Sequence, residues 1–229
     1  GGEKHEYFMG WLKNATDFLE SIKTADGESV PVIWRPWHEH TGSWFWWGQD
    51  LCTTEQYKAL WKMTYDYMVN ERGLTNLVWS YSPGAGELSS PDVFGERYPG
   101  DEIIDMVGFD CYHTRSKDMY VASMKNALEI SSAFAKEHGK LLAITETGHE
   151  TLKDPKWWTE VLYPVMKDYP VSLEREKPFL DTLRNHGIPF DDGKMFYGDF
   201  WYTSGAALAD RIVSGELEMP DAVICASDH

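Results

Sequence analysis

The chain has 229 residues, enough for one domain with a sizeable core, and a formal net charge of −16 at pH 7. That charge argues against nucleic acid as a partner, because an acidic surface repels a polyanion, and equally against an anionic membrane. No run approaches the ~18 apolar residues of a bilayer span. Three widely spaced cysteines, Cys52, Cys111 and Cys225, indicate neither a disulfide framework nor a zinc site. The chain opens Gly1-Gly2 without a methionine, so its natural start is expected to be missing and the lack of a signal peptide carries no weight.

Residues 7–22 carry Phe8, Trp11, Leu12, Ala15, Phe18, Leu19 and Ile22 at helical spacing, which predicts an amphipathic helix with those side chains inward. Asp26-Gly27 marks its exit. A short apolar strand, Val32-Ile33-Trp34, runs into RPWHEHTGSWFWWG, residues 35–48. Arg35, His38, Glu39 and His40 stand together there, and Trp44, Phe45, Trp46 and Trp47 run in a row. A carboxylate at a strand end, beside rings able to stack on a ligand, fits a carbohydrate-active site. The plainer reading is a core strand followed by a tryptophan-rich loop. If the stretch is extended, alternation sends Glu39 away from both His38 and His40, which argues against a metal. The remaining histidines fall at no ligand spacing, and no cofactor is indicated.

Thr53 with Gln56 three residues later reads as a capping box. The helix behind it sets Tyr57, Leu60, Trp61, Thr64 and Met68 on one stripe, and Gly73 can end it. Leu77 to Tyr81 is the next strand, leaving through the loop Ser82-Pro83-Gly84-Ala85-Gly86. Glu87 in that loop reads as a solvated residue rather than a third catalytic acid. Asp105 to Phe109 is a short strand that delivers Asp110 and Tyr112 at its C-terminal end, with Cys111 between them facing the barrel wall. Residues 117–138 are helical, with Met124, Leu128, Ile130, Phe134 and Ala135 buried and Gly139 as the stop.

The strand LLAITE, 141–146, again ends in a glutamate, Glu146. Asp154-Pro155 then caps a helix to about Asp168 that holds Trp157, Trp158, Val161, Leu162 and Val165. This alternation is that of a parallel α/β barrel, which presents strand-end residues on one active face. Two carboxylates there suit glycoside hydrolysis: one protonates the leaving oxygen, and the other attacks the anomeric carbon or activates water. A gap of roughly 5 Å gives retention and a wider one inversion, and both stay open at this point. Strand-end glutamates are also often solvated or paired with an arginine.

Residues 1–172 resemble the C-terminal two-thirds of a family 26 glycoside hydrolase, the β-mannanase family. The resemblance rests on RPWHEHTGSWFWWG (35–48), YSPGAGE (81–87), RYPGDEIIDMVGFDCYH (97–113) and ITETG (144–148). The first of these is long and rich in rare residues. The resemblance implies that Glu39 is the general acid/base and Glu146 the nucleophile. It implies that His38, Trp44 and Tyr112 line the subsite of the attacked sugar, with Asp110 supporting them. Arg35, Trp46 and Trp47 in the same stretch are further candidates for substrate contact. The family retains configuration and cleaves β-1,4-mannan inside the chain, which also implies a secreted or periplasmic protein.

Beyond Ser172 the chain changes character. Where the family places its last strand, this chain has the charged run Leu173-Glu174-Arg175-Glu176-Lys177. A helix ending at Gly187, a strand over 195–200, a helix over 204–213 and a strand over 222–226 are expected. FLDTLRNHGIPFDD (179–192), YGDFWYTSGAALADRI (197–212) and PDAVICASDH (220–229) resemble part of the sugar-binding domain of lactose-repressor-type regulators. The expected organisation is therefore a partial (β/α)8 TIM barrel over 1–172, with about four of its eight strands. A short α/β segment over 173–229, resembling part of a periplasmic-binding-protein-like lobe, is joined to it. The leading function is a retaining endo-β-1,4-mannanase acting on mannan-type hemicellulose. The rivals are a chimeric fragment that at most binds polysaccharide and a fragment of a sugar-sensing regulator.

Overall fold

A computed structural model describes residues 2–149 and 154–169, with Arg211 and Ser214. The chain divides into two units, Gly1–Ser172 and Leu173–His229, and the fold below is that of the first. The strands expected at 195–200 and 222–226, the helix ending at Gly187, all but Arg211 of the one at 204–213, and Cys225 lie outside the described residues.

Four strands, β1 (Val32–Trp34), β2 (Leu77–Tyr81), β3 (Met106–His113) and β4 (Leu141–His149), pair in parallel in the order β1-β2-β3-β4. Parallel neighbours need long crossovers, and each is helical. They contain α2 (Thr54–Tyr65), α3 (Pro91–Gly95) and α4 (Lys117–His138) in turn, and α1 (His5–Ser21) leads into β1. The sheet curls into a half-barrel, the mixed α/β architecture expected of a partial TIM barrel. Among the described residues no helix is long and apolar enough to cross a membrane.

Local chemistry accounts for the helix ends. At α2 the Thr53 hydroxyl accepts from the Gln56 N–H (3.3 Å), and the Gln56 amide oxygen accepts from the Thr53 N–H (3.0 Å), closing the expected capping box. Tyr57, Leu60, Trp61, Thr64 and Met68 are all buried, and Gly73, at φ +76°, ends the π-wound turn Asp66–Glu71. The Ser116 hydroxyl accepts from the Met119 N–H to start α4, and Gly139 at φ +63° stops it. Met124, Leu128, Ile130, Phe134 and Ala135 of α4 are buried as the spacing requires.

Three expectations need correction. On α1, Leu12 and Leu19 are buried, but Trp11 and Phe18 are 64% and 66% exposed. The buried stripe, Leu12, Thr16 and Leu19, is narrower than the apolar stripe. Second, β3 and β4 run on to His113 and His149, so Asp110, Tyr112 and Glu146 sit inside paired strands rather than at their ends. Third, the helix after Asp154 winds as a π-turn over Trp158–Leu162 before α5 (Tyr163–Met166). Pro164 has no N–H for a carbonyl one turn back, so regular α winding through Glu160 fails.

The β3–β4 pairing contains one irregularity that matters for chemistry. Phe109 pairs with Ile144, but Asp110 pairs with Glu146, which leaves Thr145 as an extra residue on β4. Side chains on β3 alternate: the Cys111 thiol meets Ser123 of α4, whereas Asp110 and Tyr112 point to the other face. On β4, Thr147 meets Tyr120 of α4, yet Thr145 and Glu146 both reach the face of Asp110 and Tyr112. The bulge thus sends two successive side chains to one side. Gly108 makes room for it: a Cβ there would lie 2.7 Å from both the Ala143 oxygen and Thr145 Cγ2. Gly108→Ala is expected to cost about 1–3 kcal/mol by overpacking, read as a lower urea midpoint with an unchanged slope.

Candidate active site

The site is built on the face where β3 and β4 present Asp110, Tyr112 and Glu146. Arg35, just beyond β1, reaches across the sheet. Its Nη1 donates to Asp110 Oδ2 (2.9 Å) and to the Ser82 hydroxyl (2.9 Å), and its Nη2 pairs with Glu146 Oε1. The Tyr112 hydroxyl donates to the other oxygen, Glu146 Oε2, at 2.7 Å. Thr145 supports the group from the bulge by donating to Asp110 Oδ1 at 2.5 Å. Both Glu146 oxygens are therefore held, by a cation on one side and a phenol on the other.

These contacts decide the protonation states. Desolvation pushes Glu146 up, but the bonds from Tyr112 and Arg35 and the Arg35 charge outweigh it, leaving the carboxyl below its ordinary range. Glu146 is an ionised carboxylate at neutral pH. The bond to Glu146, with desolvation behind it, pushes the Tyr112 phenol up to about 12, so it stays a donor. His38 Nε2 stands 3.9 Å from Glu146 Oε1. Desolvation and Arg35 hold His38 down against the charges of Glu146 and Glu39, which keeps the imidazole neutral. His38, Asp110 and Tyr112 each feel the charges of both Glu39 and Glu146.

Asp110 behaves differently. Burial pushes it up to about 7, although Arg35 and Thr145 pull it down. A carboxyl whose folded value lies above its unfolded one, ordinarily 3.8, binds more protons when folded. Its contribution to stability is therefore present below about pH 4 and is lost as pH rises toward about 7, at no more than roughly 1.4 kcal/mol per pH unit. Urea unfolding at pH 5 and pH 7 is expected to show a stability difference that shrinks in Asp110→Asn. An equal difference in the variant would assign the slope to other groups.

Glu39 reaches the site from a loop, not from a strand end. β1 stops at Trp34, and Trp37 (φ 56°) and Glu39 (φ 51°) both adopt the left-handed conformation. The extended alternation expected across His38, Glu39 and His40 therefore does not exist. His40 turns into the core, fully buried between Tyr57 and Tyr81, with ring centroids at 4.7 and 4.9 Å, while His38 faces Glu146. The Glu39 N–H donates to the Ser82 oxygen (2.8 Å), and Glu39 Oε2 accepts from the Trp44 indole N–H (2.9 Å).

The aromatic row separates into different roles. Trp44 is 58% exposed beside Glu39, and its ring covers Gly42 so closely that no Cβ fits there. Trp47 is half-buried under Phe45 (4.5 Å, stacked), and its N–H donates to the His38 oxygen at 2.8 Å. Trp47 is thus placed to support His38 rather than to form an open platform. Trp46 is exposed but packs on Trp37, Trp47 and Phe8. Arg35, His38, Asp110, Tyr112 and Glu146 thus form one linked group and Glu39 with Trp44 a second, while Trp46 joins neither.

Glu87 is exposed in the turn after β2, as expected of a loop residue, with its carboxyl pushed up by desolvation and by Glu39. Ser82 and Thr145, both bonded into the site, fall within YSPGAGE and ITETG, but nothing in those stretches marks either hydroxyl as more than ordinary. Ligand atoms of His38, Asp110 and Glu146 lie within 4.8 Å of one another, an arrangement able to hold a metal. The Arg35 guanidinium already bridges the two carboxylates, so the positive charge they require is in place.

The model of glycosyl hydrolase family 26 matches residues 2–151. A mannan endo-1,4-beta-mannosidase of Bifidobacterium adolescentis is 30% identical over 201 residues, covering 82% of this chain and 20% of that protein. One from Bacillus subtilis is 31% identical over 160 residues, covering 67% of this chain and 40% of the relative. The structure of a GH26 beta-mannanase from Bacteroides ovatus superposes with a TM-score of 0.72 at 47% identity, over 75% of this chain and 49% of that one. The chain thus spans half or less of each of these relatives. A match over nearly all of the half-barrel, with Glu39 and Glu146 inside it, shows that the chain belongs to glycosyl hydrolase family 26.

Proposed function

We propose that this chain carries the catalytic centre of a retaining endo-β-1,4-mannanase acting on mannan-type hemicellulose. The observation that carries the reading is the state of Glu146: ionised, with one oxygen on Arg35 and the other on Tyr112. A nucleophile needs that charge and that fixed direction. Glu146 attacks the anomeric carbon, the glycosidic bond breaks, and Glu39 protonates the departing oxygen. Glu39 then takes a proton from water, which attacks the glycosyl-enzyme and restores the original configuration. The Trp44 face stacks on a sugar ring beside Glu39, neutral His38 bonds to a sugar hydroxyl, and Asp110 holds Arg35 in place. The names of the similar mannanases support the choice of polymer. A polymer too large to enter a cell suits a secreted or periplasmic location.

The test is release of reducing sugar from β-mannan by the purified chain, beside Glu146→Ala. Release that vanishes in the variant supports the reading. Binding of mannan without release by the unmodified chain would favour a polysaccharide-binding fragment instead.

A further inference from the structure

Residues 35–53, between β1 and α2, contain no helix or strand, yet they bring Glu39 and every ring of the aromatic row. One buried guanidinium ties the middle of this segment, at His40 and Trp47, to its end at Cys52 and Thr53. Arg97, in the turn after α3, is only 4% exposed. Its Nη1 donates to the His40 oxygen at 2.9 Å. Its Nη2 donates to the oxygens of Trp47 (3.2 Å) and Cys52 (2.9 Å), with that of Thr53 at 3.5 Å. The guanidinium lies over the Tyr57 ring at 4.3 Å, and the Tyr57 hydroxyl donates to the Trp37 oxygen at 2.7 Å. A buried cation is costly unless hydrogen bonds satisfy it, and here both terminal nitrogens donate to backbone oxygens, while Nε has no partner among the described residues. A lysine, with one point charge, does not reproduce a planar fork spread over several carbonyls.

Where those bonds fall gives the residue its purpose. Left-handed backbone at Trp37 and Glu39 costs on the order of 1–3 kcal/mol each and persists only where its surroundings over-determine it. The anchors flank those positions one after another. Trp37 is fixed by Tyr57, the Glu39 N–H by the Ser82 oxygen, and the His40 oxygen by Arg97. The Gly84 N–H then donates to the Thr41 hydroxyl at 3.0 Å.

We propose that Arg97 is a positioning residue for Glu39, clamping the 40–53 loop so that Glu39 and Trp44 meet the substrate in one arrangement. This rests on the hydrolase reading above. A group misplaced by about 1 Å costs roughly 100-fold in rate, so Arg97→Lys is expected to lower kcat on β-mannan about 10- to 100-fold with a smaller change in KM. A dinitrophenyl β-mannobioside, whose leaving group needs no proton, is expected to lose at least tenfold less in its glycosylation rate, followed as the phenolate burst. Hydrogen exchange at the amides of Gly42, Gly48, Leu51 and Cys52 is expected to quicken tenfold or more while α4 stays unchanged. Equal losses on the two substrates, or unchanged loop exchange, would overturn the clamp. If the unmodified chain cleaves neither substrate, the hydrolase reading fails, and the exchange measurement alone decides the clamp. Should Arg97→Lys fail to fold, Arg97→Gln, which removes the buried charge and keeps two donors, is read by the same measurements.

Discussion

Glu146→Ala is expected to lower turnover of β-mannan by about 10⁴-fold or more, because the covalent intermediate forms on Glu146, while Asp110 is tied to Arg35 and Thr145 and Tyr112 stays protonated. Arg35 keeps its bonds to Asp110 and Ser82 when Glu146 is truncated, so its charge is not left unpaired. Loss of activity without loss of fold is therefore the expected pattern, checked by unchanged far-UV circular dichroism. The cavity left beside Arg35 is cationic, and azide entering it is expected to restore turnover of an activated aryl mannoside. Attack from the face that Glu146 occupies would give the α-mannosyl azide. A β-product, or water-only chemistry at an undiminished rate, would remove Glu146 from the role of nucleophile.

Glu39→Ala is expected to behave differently, and the contrast is the sharper test of the pair. General acid catalysis contributes about 10²–10⁴-fold, so mannan cleavage is expected to fall by that range. A substrate with a dinitrophenolate leaving group needs no proton, so its first step is expected to stay near the unmodified rate. The second step still needs a base for water, so the covalent glycosyl-enzyme is expected to accumulate, visible as a burst of phenolate and as added mass on the protein. Equal, mild losses in Glu39→Ala and Glu146→Ala would contradict the division of labour between them.

The parts legible in the sequence are those where one side chain acts on its own neighbourhood. The capping box at Thr53, the left-handed stop at Gly139 and the stripes of α2 and α4 are determined within a turn or two of helix, and they stand where the spacing puts them. The three carboxylates and Tyr112 were legible through motifs, and the linked group around Arg35 brings Asp110, Tyr112 and Glu146 together. What was illegible depends on partners far along the chain. The length of β3 and β4 is set by their mutual pairing to His113 and His149, which no local composition announces. The path through His38, Glu39 and His40 depends on Tyr57, Ser82 and Arg97, none of them near in sequence. Periodicity reports which side of α1 is apolar but not how much of it is covered, and Trp11 and Phe18 are exposed.

The extra residue at Thr145 makes the spacing of this strand as consequential as its composition. Substituting Thr145 removes one hydroxyl from Asp110. Deleting it would restore strict alternation with Glu146 still opposite Asp110, but would remove both that hydroxyl and the local bend that the bulge gives β4. In an evolving lineage, a one-residue shift in the register of β4 against β3 would carry Glu146 to the opposite face, whereas drift in single side chains would not. Intact sequence motifs on either side of such a register shift would then no longer guarantee a reactive centre.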